Sequence, residues 1–163
     1  MAGGEYCPHE VFVIAKEMEE EGLAFYKAVA RHVTDPDVKA LFLKLASDEI
    51  QHVRGIEKLE QQTLDRAPNE QDALVEQYIR GFVDTKVFPD PSEADAVGRS
   101  VEGVLDALAL GIRAERASIA FYSKTWVLGH SEVAGNLIEQ EREHLRLLTE
   151  LWAKHTSEPV PEA

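Results

Sequence analysis

Two Glu-x-x-His runs, Glu49-Ile50-Gln51-His52 and Glu141-Arg142-Glu143-His144, stand out as residues whose types and spacing could do chemistry. On a helix, positions i and i+3 share a face, so the carboxylate and imidazole of each run can reach a common centre. With this glutamate content roughly one such match is expected from composition alone, so the runs by themselves prove little. Their registration carries the weight. Residues 19–26 read EEEGLAFY and residues 115–122 read ERASIAFY, so each half of the chain has an upstream glutamate, Glu19 or Glu115, and an Ala-Phe-Tyr ahead of its Glu-x-x-His.

The elements that must position these groups are helical. Glycine and proline are clustered, and the long segments between them carry 3.6-residue periodicity over about 8–32, 36–62, 100–127 and 132–155. Pro8 suits a first turn. Asp35 and Pro36 read as N-cap and first helical residue of the second helix. Ser100 and Ser131 read as caps of the third and fourth, with Leu128-Gly129-His130 as the break between these two. The stretch 63–99 is punctuated by Ala67-Pro68-Asn69 and by Phe88-Pro89-Asp90-Pro91-Ser92, and is read as a crossover with a short helix at about 70–85. Two helical hairpins joined by a long crossover make an all-α four-helix bundle with an approximate two-fold axis, as one domain over 1–163. The tail Ser157-Glu158-Pro159-Val160-Pro161 is expected to be loose.

The inward stripes place the polar residues inside. The first helix gives Val11, Ala15, Met18, Gly22, Phe25 and Val29 with Glu19 at the border, and Glu20 and Glu21 off the stripe. The second gives Val38, Leu41, Leu45, Glu49, His52, Ile56 and Leu59. The third gives Val104, Leu108, Ile112, Glu115, Ile119, Tyr122 and Trp126, and the fourth Val133, Leu137, Glu141, His144, Leu148 and Leu151. Glu19 and Glu49 are equidistant from the Thr34–Asp37 turn, and Glu115 and Glu141 from the Leu128–His130 turn. At about 1.5 Å per residue both pairs fall near mid-bundle, roughly 20 Å from their turns.

Four carboxylates at one buried level cannot all stay ionised uncompensated, because desolvating each costs several kcal/mol and like charges add to that. Two divalent cations balance four negative charges. Oxygen-rich ligation with one imidazole per ion suits iron or manganese better than a thiolate-seeking metal. The competing reading is a Glu–His polar layer that only fixes bundle register, and it predicts fewer than four carboxylates.

Composition narrows the function classes. With 17 Lys plus Arg against 30 Asp plus Glu, the net charge is −13. That argues against holding nucleic acid, which needs a basic face, and against docking on an anionic membrane. The single cysteine, Cys7, makes no internal disulfide and no cysteine-based metal site. Without an apolar signal region or a span of roughly 18 apolar residues, a cytoplasmic location is expected. The surface glutamate excess is mainly a solvated face, with attraction of Fe²⁺ as a further use. His9, His32, His130 and His155 sit near helix ends, where solvated or capping roles are expected. Trp126 and Trp152 read as core or interface, and Cys7-Pro8-His9 is not expected to hold a metal.

In EEEGLAFY, LASDEIQH, ERASIAFY and LIEQEREH, taken in order with the long crossover between, the chain over about 8–155 resembles the rubrerythrin-related branch of the ferritin-like superfamily. The resemblance implies a non-haem centre of two iron ions, with manganese or a mixed pair sharing the same ligands. It implies Glu19, Glu49, His52, Glu115, Glu141 and His144 as metal ligands. On that basis Glu19 and Glu115 each bind mainly one ion, Glu49 and Glu141 bridge, and His52 and His144 each complete one ion. No catalytic group beyond these ligands is expected, while Tyr26 and Tyr122 either approach the ligand carboxylates from behind or pack as ordinary core. The implied activity is an oxidoreductase reacting with O₂ or hydrogen peroxide, as a ferroxidase or a peroxidase involved in oxidative stress. The alternative is a protein that binds or buffers iron without turnover. The chain departs from rubrerythrins proper in two ways. It lacks the four-cysteine rubredoxin domain, so the expected electron donor is a separate protein. Ser118 also stands where an additional glutamate follows the third-helix ligand. A homodimer is the expected assembly.

Overall fold

The computed structural model describes residues 8–64, 87–129 and 132–162, which form five helices and no strand. The helix expected at about 70–85, Cys7, His130, the Ser131 cap and the side chains of His9, Val11, Trp126 and Val133 lie outside the described residues.

Helix α1 (Pro8–His32) and helix α2 (Pro36–Leu64) form the first hairpin. The turn between them is set by Asp35, whose Oδ1 accepts the amide N–H groups of Asp37 and Val38, both at 3.0 Å. A capping side chain of this kind satisfies two of the four amides a helix start leaves unpaired. Helix α3 (Pro91–Ser100) lies in the crossover, and helix α4 (Val104–Gly129) and helix α5 (Glu132–His155) form the second hairpin. The packed pairs are α1 on α2, α4 on α5, α2 on α5 and α3 on α1.

The interior follows the 3.6-residue stripes. Ala15, Met18, Phe25 and Val29 of α1, Val38, Leu45 and Ile56 of α2, Leu108 and Ile112 of α4, and Leu137, Leu148 and Leu151 of α5 are all buried. Each such large side chain contributes about 1.5–3 kcal/mol relative to leaving it in water. Leu41, Leu59, Val104 and Ile119 are only half-buried at the edge of that core.

Three expectations are corrected. Ser100 does not cap the third bundle helix. It ends α3, its Oγ donates to the Val97 carbonyl at 2.8 Å, and α4 begins only at Val104. The intervening Gly103 has φ +144°, a conformation that favours glycine and turns the chain into α4. Pro91 does not simply break structure. It occupies the first turn of α3, where the missing N–H costs nothing. The tail is not loose: Trp152 Nε1 donates to the Glu158 carbonyl at 3.0 Å, Arg116 donates to the Pro161 carbonyl, and Val160 packs against the core.

Helix α3 sits against α1 at backbone distance. A Cβ built on Gly98 would come within 2.8 Å of the Ala28 carbonyl carbon and oxygen, so only glycine fits there. The end of α1 is joined to α3 through His32 Nε2 and Asp95 Oδ1 at 3.3 Å.

The end of α5 is tied to the first hairpin turn. His155 Nδ1 faces the Leu151 carbonyl at 2.9 Å, and its Nε2 faces Asp35 Oδ2 at 3.2 Å. The Leu151 carbonyl, then Asp35, raise His155 above its ordinary 6.5, while the Val38 amide, then His155, lower Asp35 below its ordinary 3.8. The histidine's contribution is therefore complete below pH 6.5 and lost as pH rises through its raised value. That of Asp35 is complete above pH 3.8 and lost in more acidic solution. The difference in thermal midpoint between the wild type and His155→Ala is expected to be largest between these limits and to shrink at alkaline pH. A difference that is flat with pH would remove the ion pair from the account.

Candidate metal centre

Four helices each bring one carboxylate to the same level of the bundle. Glu19 of α1, Glu49 of α2, Glu115 of α4 and Glu141 of α5 are 0–2% exposed, and so are His52 and His144. Leucine-sized residues hold the same stripe above and below: Leu45 and Ile56 flank Glu49 and His52, and Leu137 and Leu148 flank Glu141 and His144. The six polar side chains thus replace one apolar layer, and the structure brings together all six residues singled out in the sequence.

They converge as two overlapping groups. Glu19, Glu49, His52 and Glu141 place one ligand atom each within 4.8 Å of one another, and so do Glu49, Glu115, Glu141 and His144. Glu49 and Glu141 belong to both. His52 Nδ1 faces Glu49 Oε2 at 2.9 Å, Glu19 Oε2 at 3.0 Å and Glu141 Oε1 at 3.0 Å. His144 Nδ1 faces Glu115 Oε1 at 3.4 Å and Glu141 Oε2 at 3.5 Å. The two oxygens of Glu141 thus address different halves of the cluster. The imidazole rings stack with centroids 5.1 Å apart and an interplanar angle of 25°.

The tyrosines join the two halves. Tyr26 of α1 donates its hydroxyl hydrogen bond to Glu115 Oε1 of α4, and Tyr122 of α4 donates to Glu19 Oε1 of α1. Each phenol therefore holds the upstream glutamate of the opposite hairpin. Burial, then the charge of the carboxylate each one touches, pushes both phenols well above their ordinary 10.0, so both keep their protons. Tyr26 also packs in edge contact with Phe42 and Phe88, at centroid distances of 5.6 and 5.7 Å.

One further residue escaped the sequence reading. Asp48 Oδ2 lies 3.2 Å from His144 Nε2, behind the ring and away from the carboxylates. Burial opposes the charge of Asp48, but Lys44 and then His144 hold its carboxyl below the usual range. The only signal in the sequence was its place next to Glu49, which could not reveal that it reaches across to α5. Ser118, the place where the resemblance implies an additional glutamate, is buried at 2% exposure.

The electrostatics show what the cluster lacks. Burial, then the charge of Glu19, raises the Glu49 carboxyl well above 4.5, and burial, then the charge of Glu141, does the same to Glu115. Burial also opposes the charge on Glu141, but bonds to Glu115, His144 and His52 outweigh it and lower this carboxyl. Burial disfavours charge on His144, yet Glu115 and Glu141 raise it to about 10. His52 is raised as well, against burial, by Glu141, Glu19 and Glu49. Three carboxylate oxygens crowd one His52 nitrogen, although a single N–H serves only one well. Among the described residues, Glu115 Oε2 and His144 Nδ1 are buried and meet no partner at good hydrogen-bond geometry, the nearest carboxylate oxygens to His144 Nδ1 standing at 3.4 and 3.5 Å. Buried polar atoms are rarely left so. Carboxylate oxygens and imidazole nitrogens that converge with hydrogen-bonding capacity left unmet fit bound metal cations, which accept several lone pairs each.

Among the described residues no helix is long and apolar enough to cross a membrane. Neither the curated proteins nor the solved structures provide a match to this chain. The family model described as Rubrerythrin matches residues 10–152, which takes in all six clustered residues and both tyrosines. With its fold all-helical and its buried Glu–His cluster able to hold metal, the chain belongs to the rubrerythrin family.

Proposed function

We propose that this protein is a non-haem di-iron oxidoreductase acting on O₂ or hydrogen peroxide, with Glu19, Glu49, His52, Glu115, Glu141 and His144 as the iron ligands. The observation that carries the reading is the sharing of Glu49 and Glu141 between the two ligand groups, which is what a pair of bridged ions requires. When bound, the iron pair supplies redox electrons and Lewis acidity.

The chain's own residues supply the rest. Tyr122 holds Glu19 Oε1 and leaves its Oε2 facing His52, while Tyr26 holds Glu115 Oε1, the oxygen that also faces His144. The Tyr26, Phe42 and Phe88 rings form an apolar wall beside the carboxylates and keep bulk water out. In that dry environment fixed charges act more strongly than in water. Reducing one hydrogen peroxide to two waters takes two electrons and two protons. A bound iron pair would supply the electrons, and an electron-donor protein would replenish them. The protons come from solvent.

The test is rapid mixing of the anaerobically Fe(II)-loaded protein with hydrogen peroxide or O₂, followed by visible absorption. Oxidation is expected to run well ahead of free Fe(II) under the same conditions. Stable loading with oxidation no faster than free iron would replace the enzyme reading with an iron-holding one.

A further inference from the structure

The internal two-fold symmetry of the cluster is broken behind its histidines. Residues 48–52 read DEIQH and residues 140–144 read QEREH, so Gln140 is the counterpart of Asp48. Asp48 stands 3.2 Å from His144 Nε2. The corresponding atom on the other side, His52 Nε2, is buried and has no hydrogen-bond partner among the described residues, and Gln140 is exposed. The tyrosines do not share this asymmetry, since each half contributes one phenol to the other.

Resting on the metal-centre reading above, we propose that the two ion positions are unequal and fill in order, the His144 position first, because Asp48 holds His144 from behind at Nε2 while no described residue does the same at His52 Nε2. In both rings Nδ1 faces the carboxylates and is the nitrogen that must present a lone pair. The ring hydrogen must then sit on Nε2. For His144 that N–H donates to the Asp48 carboxylate, which selects the tautomer, holds the ring plane and makes Nδ1 a stronger donor. For His52 the same tautomer leaves a buried N–H without an acceptor, and that loss opposes ion capture. Outer carboxylates of this kind change metal affinity by about 10- to 100-fold, so the gap between the two binding steps is expected in that range. Asp48 is a positioning residue: it acts through His144 and touches neither ion nor substrate. Lys44, which pairs with Asp48 one turn away on α2, keeps the carboxylate ionised and in place.

The experiment is anaerobic titration of the metal-free full-length protein with Co(II), read by calorimetry and by the visible bands of the bound ion. The wild type is expected to show two steps about 10- to 100-fold apart. In Asp48→Ala the tighter step should weaken by that factor and merge with the second, while the weaker step stays put. Asp48→Asn keeps an oxygen acceptor and should restore part of the separation. A purely structural role for Asp48 would weaken both steps alike and would not be rescued by Asn. Lys44→Ala should narrow the gap in the same direction without touching the histidine's partner. Two wild-type ions bound with equal affinity, or an unmoved tighter step in Asp48→Ala, would overturn the proposal and leave the metal centre standing. A wild type that binds no Co(II) would overturn both.

Discussion

Glu141→Ala is expected to abolish loading of both ions, whereas Glu19→Ala should cost one. Glu141 is the residue whose two oxygens face different histidines, Oε1 toward His52 at 3.0 Å and Oε2 toward His144 at 3.5 Å. On the proposed reading, removing it would take a ligand from each ion position at once. Glu49 belongs to both groups as well, so Glu49→Ala should behave in the same way. Glu19 belongs to one group only, and so does Glu115. Metal analysis after anaerobic Fe(II) loading and gel filtration is expected to give about two ions per chain for the wild type, about one for Glu19→Ala and close to none for Glu141→Ala. Circular dichroism should show helix content largely retained in all three. The substitution removes one of four mutually repelling buried carboxyls, and the apolar layers at Leu45, Ile56, Leu137 and Leu148 remain. Two ions per chain in Glu141→Ala would refute the bridging role.

The contrast between what the sequence revealed and what it hid has a physical cause. The six clustered residues were legible because a carboxylate on a 3.6-residue apolar stripe is costly, and the same costly pattern occurs twice in register with a repeated Ala-Phe-Tyr. Repetition of something unfavourable is hard to produce by chance. Asp35 was legible for a local reason, since a cap needs only its own next three residues. Helix α3 was missed because Pro89, Pro91 and Ser92 read as breakers, and the same proline can end one segment or begin another. What decides between these is the docking of Ala94 and Gly98 on α1, a contact between residues far apart in the chain. The tail was misjudged for the same reason: its anchor Arg116 lies on α4, and nothing near Pro161 announces it. Asp48 is the most telling omission. It lies off the apolar stripe of α2 and is a third exposed by its side chain, so periodicity assigns it to solvent. Its role follows only from the crossing of α2 and α5, which places it behind a histidine of the other half.

Filling the centre is expected to raise the thermal midpoint by about 15–30 °C. Ligand that binds only the folded state stabilises it by about 4 kcal/mol when present at a thousand times its dissociation constant, so two such ions give about 8 kcal/mol. For a chain of 163 residues each kcal/mol moves the midpoint by about 2–4 °C. The shift should depend on pH, with a sign the cluster dictates. In the metal-free protein the Glu49 and Glu115 carboxyls are raised above 4.5, so the unfolded chain releases their protons first as pH rises and the folded state loses ground. The two histidines push the same way. Their raised values give stability that is complete below pH 6.5 and lost as pH climbs, with His144 passing through about 10. Glu141, which is lowered, acts only in acid and leaves this trend unopposed above 4.5. Cations displace the protons from these ligands, so the loaded protein escapes the alkaline loss. Scanning calorimetry of metal-free and loaded protein should therefore show a gap that widens from pH 6.5 upward. Glu141→Ala should stay at its metal-free midpoint whatever metal is supplied. A loaded midpoint within a few degrees of the metal-free one would mean that cations do not compensate these buried carboxylates, and the layer would be left to its own hydrogen bonds.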